Sequence, residues 1–256
     1  MTSTQTALIT GPTSGIGRAF ADLLATQGYN LVLVSRDKER LESVAAEIRD
    51  EHDVAVEVLA ADLSVKRDLA RVEKRVADAK HPIDVLVNNA GFGVNQSFAQ
   101  GDVAKEQDLI DVLITAVMRL SHAASKEMVA RGHGSIVIVS SVAGYIAGST
   151  YSAAKSWATV FAESLHAELR PHGVLVSALC PGFTRTEFHS RAEMKMNWLP
   201  RFLWLDSKRL VKKGWRDHHA GRAVSVPGWQ YRGLPVFLRV VPRSLVRGGT
   251  VGMSRR

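Results

Sequence analysis

The stretch Ala7-Leu8-Ile9-Thr10-Gly11-Pro12-Thr13-Ser14-Gly15-Ile16-Gly17-Arg18-Ala19-Phe20-Ala21-Asp22-Leu23-Leu24 decides the fold. Ala7 to Thr10 are apolar and β-prone, the glycine-rich turn follows, and Ala19, Phe20, Leu23 and Leu24 then recur at spacings that share one helical face. A strand, a glycine turn and a helix in this order make a phosphate site. Glycines permit close backbone approach, and the helix amino terminus presents free N–H groups at the positive end of its dipole. The spacing is G-x-x-x-G-x-G, not the G-x-G-x-x-G of the common dinucleotide fingerprint.

Outward from this unit, strand-like and helix-like segments alternate. Asn30 to Ser35 reads as a second strand and Asp37 to Glu51 as a charged helix. Val54 to Ala60, Val65 to Ala79 and Ile83 to Val87 read as strand, helix and strand. A long helix is expected over Asp102 to Arg131, a strand over Ser135 to Ser140, a helix over Ser152 to Arg170 and a sixth strand over Val174 to Leu179. β-branched runs interleaved with helices argue for a parallel sheet buried on both faces. The expectation is an α/β fold, a doubly wound Rossmann-type sheet in a single domain with a basic C-terminal extension. Its dinucleotide-binding and catalytic part is 1–190, and 191–256 forms a substrate lid and basic segment of the same domain.

The 256 residues are 46% hydrophobic, ample for a packed core. A single cysteine, Cys180, excludes an intrachain disulfide and a C-x-x-C metal site and points to a reducing, cytoplasmic setting. The amino terminus has no secretory hydrophobic region, and the uncharged run Gly134 to Ala154 is too rich in Gly and Ser to read as a membrane span. No metal site is expected: His218-His219 lacks a third ligand at useful spacing and reads as a helix surface feature.

Tyr151-Ser152-Ala153-Ala154-Lys155 sets a phenol and an ammonium one helical turn apart. A lysine held there favours the ionised phenol and lowers its pKa from about 10 toward the working range. Such a tyrosine exchanges a proton with a carbonyl or an alcohol oxygen. Taken with Thr10-Gly11, Gly15-Ile16-Gly17, Asp62-Leu63, Asn88-Asn89-Ala90-Gly91, Ser141 and Pro181-Gly182, all in order, the chain resembles a short-chain dehydrogenase/reductase from residue 7 to about 188.

That resemblance implies roles. Ser141, Tyr151 and Lys155 are the expected catalytic residues. Tyr151 exchanges the proton, Lys155 tunes the phenol and bonds the nicotinamide ribose, and Ser141 polarises the carbonyl. The expected cofactor residues are Gly11, Thr13, Ser14, Gly15, Ile16, Gly17, Ser35, Arg36, Asp62, Leu63, Asn89, Ala90, Gly91, Tyr151, Lys155, Pro181, Gly182, Thr184 and Thr186. Ser35-Arg36 ends the second strand where NAD enzymes commonly carry an acid. Arginine there grips a 2′-phosphate, so NADP(H) is preferred, with NAD(H) as the alternative, and Asp37 is expected to cap the next helix. The expected activity is carbonyl–alcohol interconversion on a fairly apolar small molecule, by a homodimer or homotetramer paired through the fourth and fifth helices.

Two departures from the family pattern stand out. Leu113 occupies the position of an asparagine that supports a water chain to the lysine, which leaves open a catalytically weakened nucleotide-binding regulatory or scaffold protein. Only nine residues separate Ser141 from Tyr151, with Gly144 and Gly148 to let the chain close; Ser140 is the substitute if that loop is misread. Residues 191–256 hold 15 Lys/Arg against 3 Asp/Glu, while the remainder is net acidic. Four of the five tryptophans (Trp198, Trp204, Trp215 and Trp229) lie there too, with Trp198 to Leu205 an apolar lid. Leu234 to Val246 interleaves apolar residues with arginines, a pattern suited to peripheral contact with an anionic membrane. Nucleic-acid binding is not expected, since charge alone is no recognition fold.

Overall fold

β-branched and leucine-rich runs, apolar at successive positions, build the strands of one sheet buried on both faces. In a computed structural model of the protein, residues 5–188 and 200–233 are described. The strands β1 (Thr6–Thr10), β2 (Asn30–Ser35), β3 (Val56–Ala60), β4 (Val85–Asn88), β5 (Gly134–Val139), β6 (Val174–Leu179) and β7 (Val224–Ser225) pair in the order β3-β2-β1-β4-β5-β6-β7. Every pairing is parallel, β1 lying between β2 and β4. The order reverses between β1 and β4, which opens a crevice at the carboxyl ends of the strands.

Neighbouring residues feed opposite layers. Leu8, Val32, Leu86, Ile136 and Val176 pack on one face, against α3 (Lys66–Val76), α5 (Val117–Arg131) and α6 (Thr150–Leu169). Ile9, Leu33, Val87, Val137 and Leu179 pack on the other, against α1 (Gly15–Thr26), α2 (Lys38–Glu51) and α7 (Ser207–His219). Phe20 and Leu24 of α1 and Trp215 of α7 are part of this second layer, and Trp215 Nε1 donates to Gln27 Oε1 at 3.0 Å. The basic carboxyl-terminal segment is thus partly built into the Rossmann layer, through α7 and β7, neither of which is among the elements expected above. The short helix α8 (Trp229–Arg232) follows.

The long helix expected over Asp102 to Arg131 is interrupted. α4 (Val103–Ile110) runs into a π-helical segment, Asp111–Ala116, before α5 begins. A π segment shifts the hydrogen bonding by one residue without breaking the apolar pattern, so helical periodicity does not reveal it. Among the described residues no helix is long and apolar enough to cross a membrane. Trp198 and the stretch Leu234 to Val246 lie outside the described residues, as does much of the predicted lid.

Candidate active site

Asn89 locks the switch point. Its Nδ2 donates to the carbonyl oxygens of Thr10 and Gly11, both at 2.9 Å, and the backbone N–H groups of Asn89 and Ala90 each donate to Thr10 Oγ1 at 2.9 Å. The glycine turn is thereby pinned to the end of β4. Gly15 has φ +60, and a Cβ there would stand 2.6 Å from Thr186 Cγ2. A Cβ on Gly17 would collide with the Gly11 carbonyl and the Asn89 amide. Ser14 is the N-cap of α1 but its side chain makes no capping bond, and the first turn of the helix holds no acidic residue. A helix amino terminus left in this state, ringed by backbone kept bare of side chains, fits a dinucleotide pyrophosphate.

At the end of β2, Ser35 is half-buried and Arg36 is exposed, with no hydrogen bond or ion pair among the described residues. Asp37 caps α2 by accepting from the Arg40 N–H at 3.0 Å, so its carboxylate is committed as the sequence suggests. Asp62 accepts from the N–H and the hydroxyl of Ser64 at 3.0 and 2.8 Å, and Leu63 is buried in the core. The guanidinium of Arg40 pairs with Glu187, joining α2 to the segment that carries Thr186.

Thr184 is buried, and its hydroxyl donates to the Gly182 carbonyl at 2.9 Å, bracing the turn. The Pro181 carbonyl accepts from Val142 N–H at 3.0 Å. The ring of Tyr231 lies over Gly182, and its hydroxyl donates to the Leu203 carbonyl at 2.7 Å.

Ser141, Tyr151 and Lys155 come together at the ends of β5 and α6. Ser141 caps the 3-10 turn Val142–Tyr145, accepting from Ala143 N–H at 3.1 Å, and its hydroxyl lies close enough to the Tyr151 phenol to favour the ionised form. Ser140 is turned away: its buried hydroxyl donates to the Lys155 carbonyl at 2.6 Å and lies 2.7 Å from Thr159 Oγ1. Of the two serines, Ser141 is the one that lies beside the Tyr151 phenol. Gly144 lies directly against the Lys155–Ser156 backbone, so the short connection does close tightly.

The phenol departs from the expected tuning. Burial pushes Tyr151 up to about 12, only partly opposed by the nearby Ser141 hydroxyl. Lys155 does not act as the expected counter-charge, because its ammonium is directed at the Val139 carbonyl, to which it donates at 2.7 Å, and lies 5.6 Å from the Tyr151 ring centroid. Burial pulls Lys155 itself down to about 8. At neutral pH the pair is a protonated phenol, competent as a donor, beside an ammonium close to its own titration.

Leu113 sits at the middle of the π segment. It is buried with Leu109 and Ala154 in a small apolar cluster that Tyr151 and Phe92 flank, and its Cδ2 fills the space a side chain on Gly91 would need. Phe188, not singled out from the sequence, sets its ring 5.5 Å from that of Tyr151, and Tyr231 is likewise new to the site. Phe188 had an available signal, its position two residues after Thr186. Tyr231 had none, lying far along the chain.

His218 overturns its surface reading. It is buried, its Nδ1 lies 2.7 Å from Ser177 Oγ, its ring stacks on Trp215 at 5.3 Å, and burial holds it down at about 3. Among the described residues no group of His, Cys, Asp and Glu could hold a metal.

A family profile for short chain dehydrogenases matches residues 5–197. A short-chain dehydrogenase from Sphingobium yanoikuyae, solved with NADPH, is 36% identical, superposes with a TM-score of 0.85 and matches over 97% of this chain and 94% of that one. A bulky-bulky ketone specific alcohol dehydrogenase from Comamonas testosteroni is 33% identical with a TM-score of 0.81, over 98% and 95% of the two chains. An inactive hydroxysteroid dehydrogenase-like protein from Homo sapiens is 34% identical over 206 residues, which is 78% of this chain and 60% of that protein.

Proposed function

The chain belongs to the short-chain dehydrogenase/reductase family, and we propose that within it the protein is an NADP(H)-dependent oxidoreductase that interconverts an apolar ketone or aldehyde with its alcohol. The observation that carries this reading is the Ser141–Tyr151–Lys155 cluster set beside a glycine cradle that side chains would fill. Gly11, Gly15, Gly17 and the amino end of α1 would hold the pyrophosphate, and Arg36, without a partner among the described residues, would hold a 2′-phosphate. NADPH in the Sphingobium structure and the ketone specificity of the Comamonas enzyme support the cofactor and the substrate class. The bound dinucleotide would supply hydride in reduction and accept it in oxidation.

The chain's own residues handle the proton. The half-buried Tyr151 keeps its phenol hydrogen at neutral pH and donates it to the carbonyl oxygen as that oxygen becomes an alkoxide; in oxidation the phenolate takes it back. Ala143 N–H occupies a lone pair of Ser141 Oγ, which leaves the serine proton to polarise the carbonyl. Lys155, its ammonium held on the Val139 carbonyl, would bond the nicotinamide ribose rather than pair with the phenolate left behind. Leu113, Phe92 and Phe188 line an apolar wall beside the phenol that suits an apolar substrate and excludes water.

Leu113 also favours a second reading, a nucleotide-binding protein of weakened activity, since a leucine holds no water to refill the relay, and one relative is described as inactive. Steady-state assays separate the two. With NADPH and a panel of bulky apolar ketones, the enzyme reading expects loss of cofactor absorbance, slower or absent with NADH. Tight NADPH binding without turnover of any ketone or any alcohol in the panel would favour the second reading.

A further inference from the structure

Two large aromatic side chains stand in solvent beside the active-site cleft. Phe202, on the 3-10 turn Arg201–Leu203, is 63% exposed, and Trp229, the first residue of α8, is 77% exposed. The two segments are tied together: Gln230 Nε2 donates to the Phe202 carbonyl at 2.9 Å and Tyr231 Oη to the Leu203 carbonyl at 2.7 Å. Arg201 precedes Phe202 directly, and Arg232 follows Trp229 by three residues, which puts it on the same side of its helical turn.

Residues 200–233 hold eight Lys/Arg against two Asp/Glu. Asp217 is engaged by Lys213 and Arg222, and Asp206 caps α7 through Arg209 N–H. Arg201, Lys208, Arg209, Lys212, Arg216 and Arg232 therefore have no acidic partner among the described residues. Trp and Phe beside unpaired cations are the combination that settles at a lipid interface, the rings among the headgroups and the cations over anionic lipid.

We propose that this face docks on an anionic lipid bilayer, with Phe202 and Trp229 inserted and Arg201 and Arg232 over the lipid charges. A second copy of this chain fits the patch poorly, since a twofold contact would bring like charges together. Docking here has a route to the site. Tyr231, on the same turn as Trp229, covers Gly182 and accepts from Phe183 N–H at 3.3 Å, and the Phe183 ring lies 6.2 Å from that of Trp204. The segment continues to Phe188 against Tyr151, so apolar molecules in the bilayer would meet a run of aromatic residues leading to the phenol. The inference goes beyond the reductase reading and does not depend on it.

The test is co-sedimentation of the full chain with phosphatidylcholine vesicles, with and without about one-third phosphatidylserine. Binding is expected only to the anionic vesicles, with a blue shift in tryptophan emission. It should weaken at least tenfold in Phe202→Ser/Trp229→Ser and in Arg201→Gln/Arg232→Gln, and fall steeply with salt. All variants change exposed side chains, and unchanged melting temperatures would establish that they fold. The proposal is overturned by failure to sediment, or by sedimentation indifferent to both double variants. It is also overturned if the aromatic variant abolishes self-association while vesicle binding persists, or if duplex DNA binds more tightly than vesicles irrespective of the aromatic pair.

Discussion

Replacing Asn89 with alanine removes the amide that holds the glycine turn to the end of β4. The two bonds from Nδ2, to Thr10 and Gly11 carbonyls at 2.9 Å, contribute about 1 kcal/mol each, and an acceptor orphaned by truncation costs about 1–3 kcal/mol. Gly11 is partly exposed, so water recovers part of the cost at its carbonyl, whereas Thr10 is buried, and a loss of about 3 kcal/mol is expected. The bonds from Asn89 and Ala90 N–H to Thr10 Oγ1 survive, which keeps the loss local. In a domain of this size about 1 kcal/mol corresponds to roughly 2–4 °C, so the melting temperature should drop by roughly 6–12 °C. Asn89→Asp sets an acceptor against two acceptors and should cost at least as much. Thermal melting by circular dichroism, with and without NADPH, reads both effects; the stabilisation by NADPH should also shrink. A variant melting within about 2 °C of the parent, or an Asp variant as stable as the parent, would refute the donor role assigned to this amide.

Arg36→Glu should raise the Kd for NADPH about a hundredfold or more while leaving NADH binding within a few fold, because it exchanges a guanidinium for a carboxylate facing the 2′-phosphate; fluorescence titration of both cofactors checks it. His218 is neutral when folded, with its pKa down at about 3 against about 6.5 when unfolded, so below about 6.5 the unfolded chain binds the extra proton. Stability should therefore fall as pH drops from about 6.5 toward 3, at up to about 1.4 kcal/mol per pH unit, and denaturant melts between pH 7 and 5 in the parent and His218→Phe should show the slope flatten in the variant. Leu113→Asn places a polar amide in the apolar cluster beside Tyr151, and should lower the melting temperature by several degrees while raising kcat; a stability loss with no change or a fall in kcat would mean that water at this position does not limit proton delivery.

The parallel sheet was legible because its strands are apolar on both faces: Leu31 to Val34 and Val174 to Leu179 read as continuous runs, and both strands begin and end where expected. β7 escaped notice, since two residues, Val224 and Ser225, carry no period of their own. His218 was misread for its charged company, although Val211, Trp215 and His218 recur at helical spacing and face inward together. The motif positions stood out because each demands a particular residue type: glycine where a helix approaches backbone, asparagine where two carbonyls need donors. The tuning of Tyr151 was not legible. An i, i+4 lysine implies a nearby charge, but the direction of the ammonium toward Val139 and the degree of burial are set by packing across the sheet.

The proposed proton donation by Tyr151 in NADP-dependent carbonyl reduction is tested most directly by kcat for ketone reduction in the parent and Tyr151→Phe, together with the Kd for NADPH. The phenylalanine keeps the ring packed against Phe188 and loses only the hydroxyl, so kcat should fall by about 10²–10⁴ with NADPH affinity within a few fold. A Tyr151→Phe enzyme that reduces the ketone at the parental rate would contradict it.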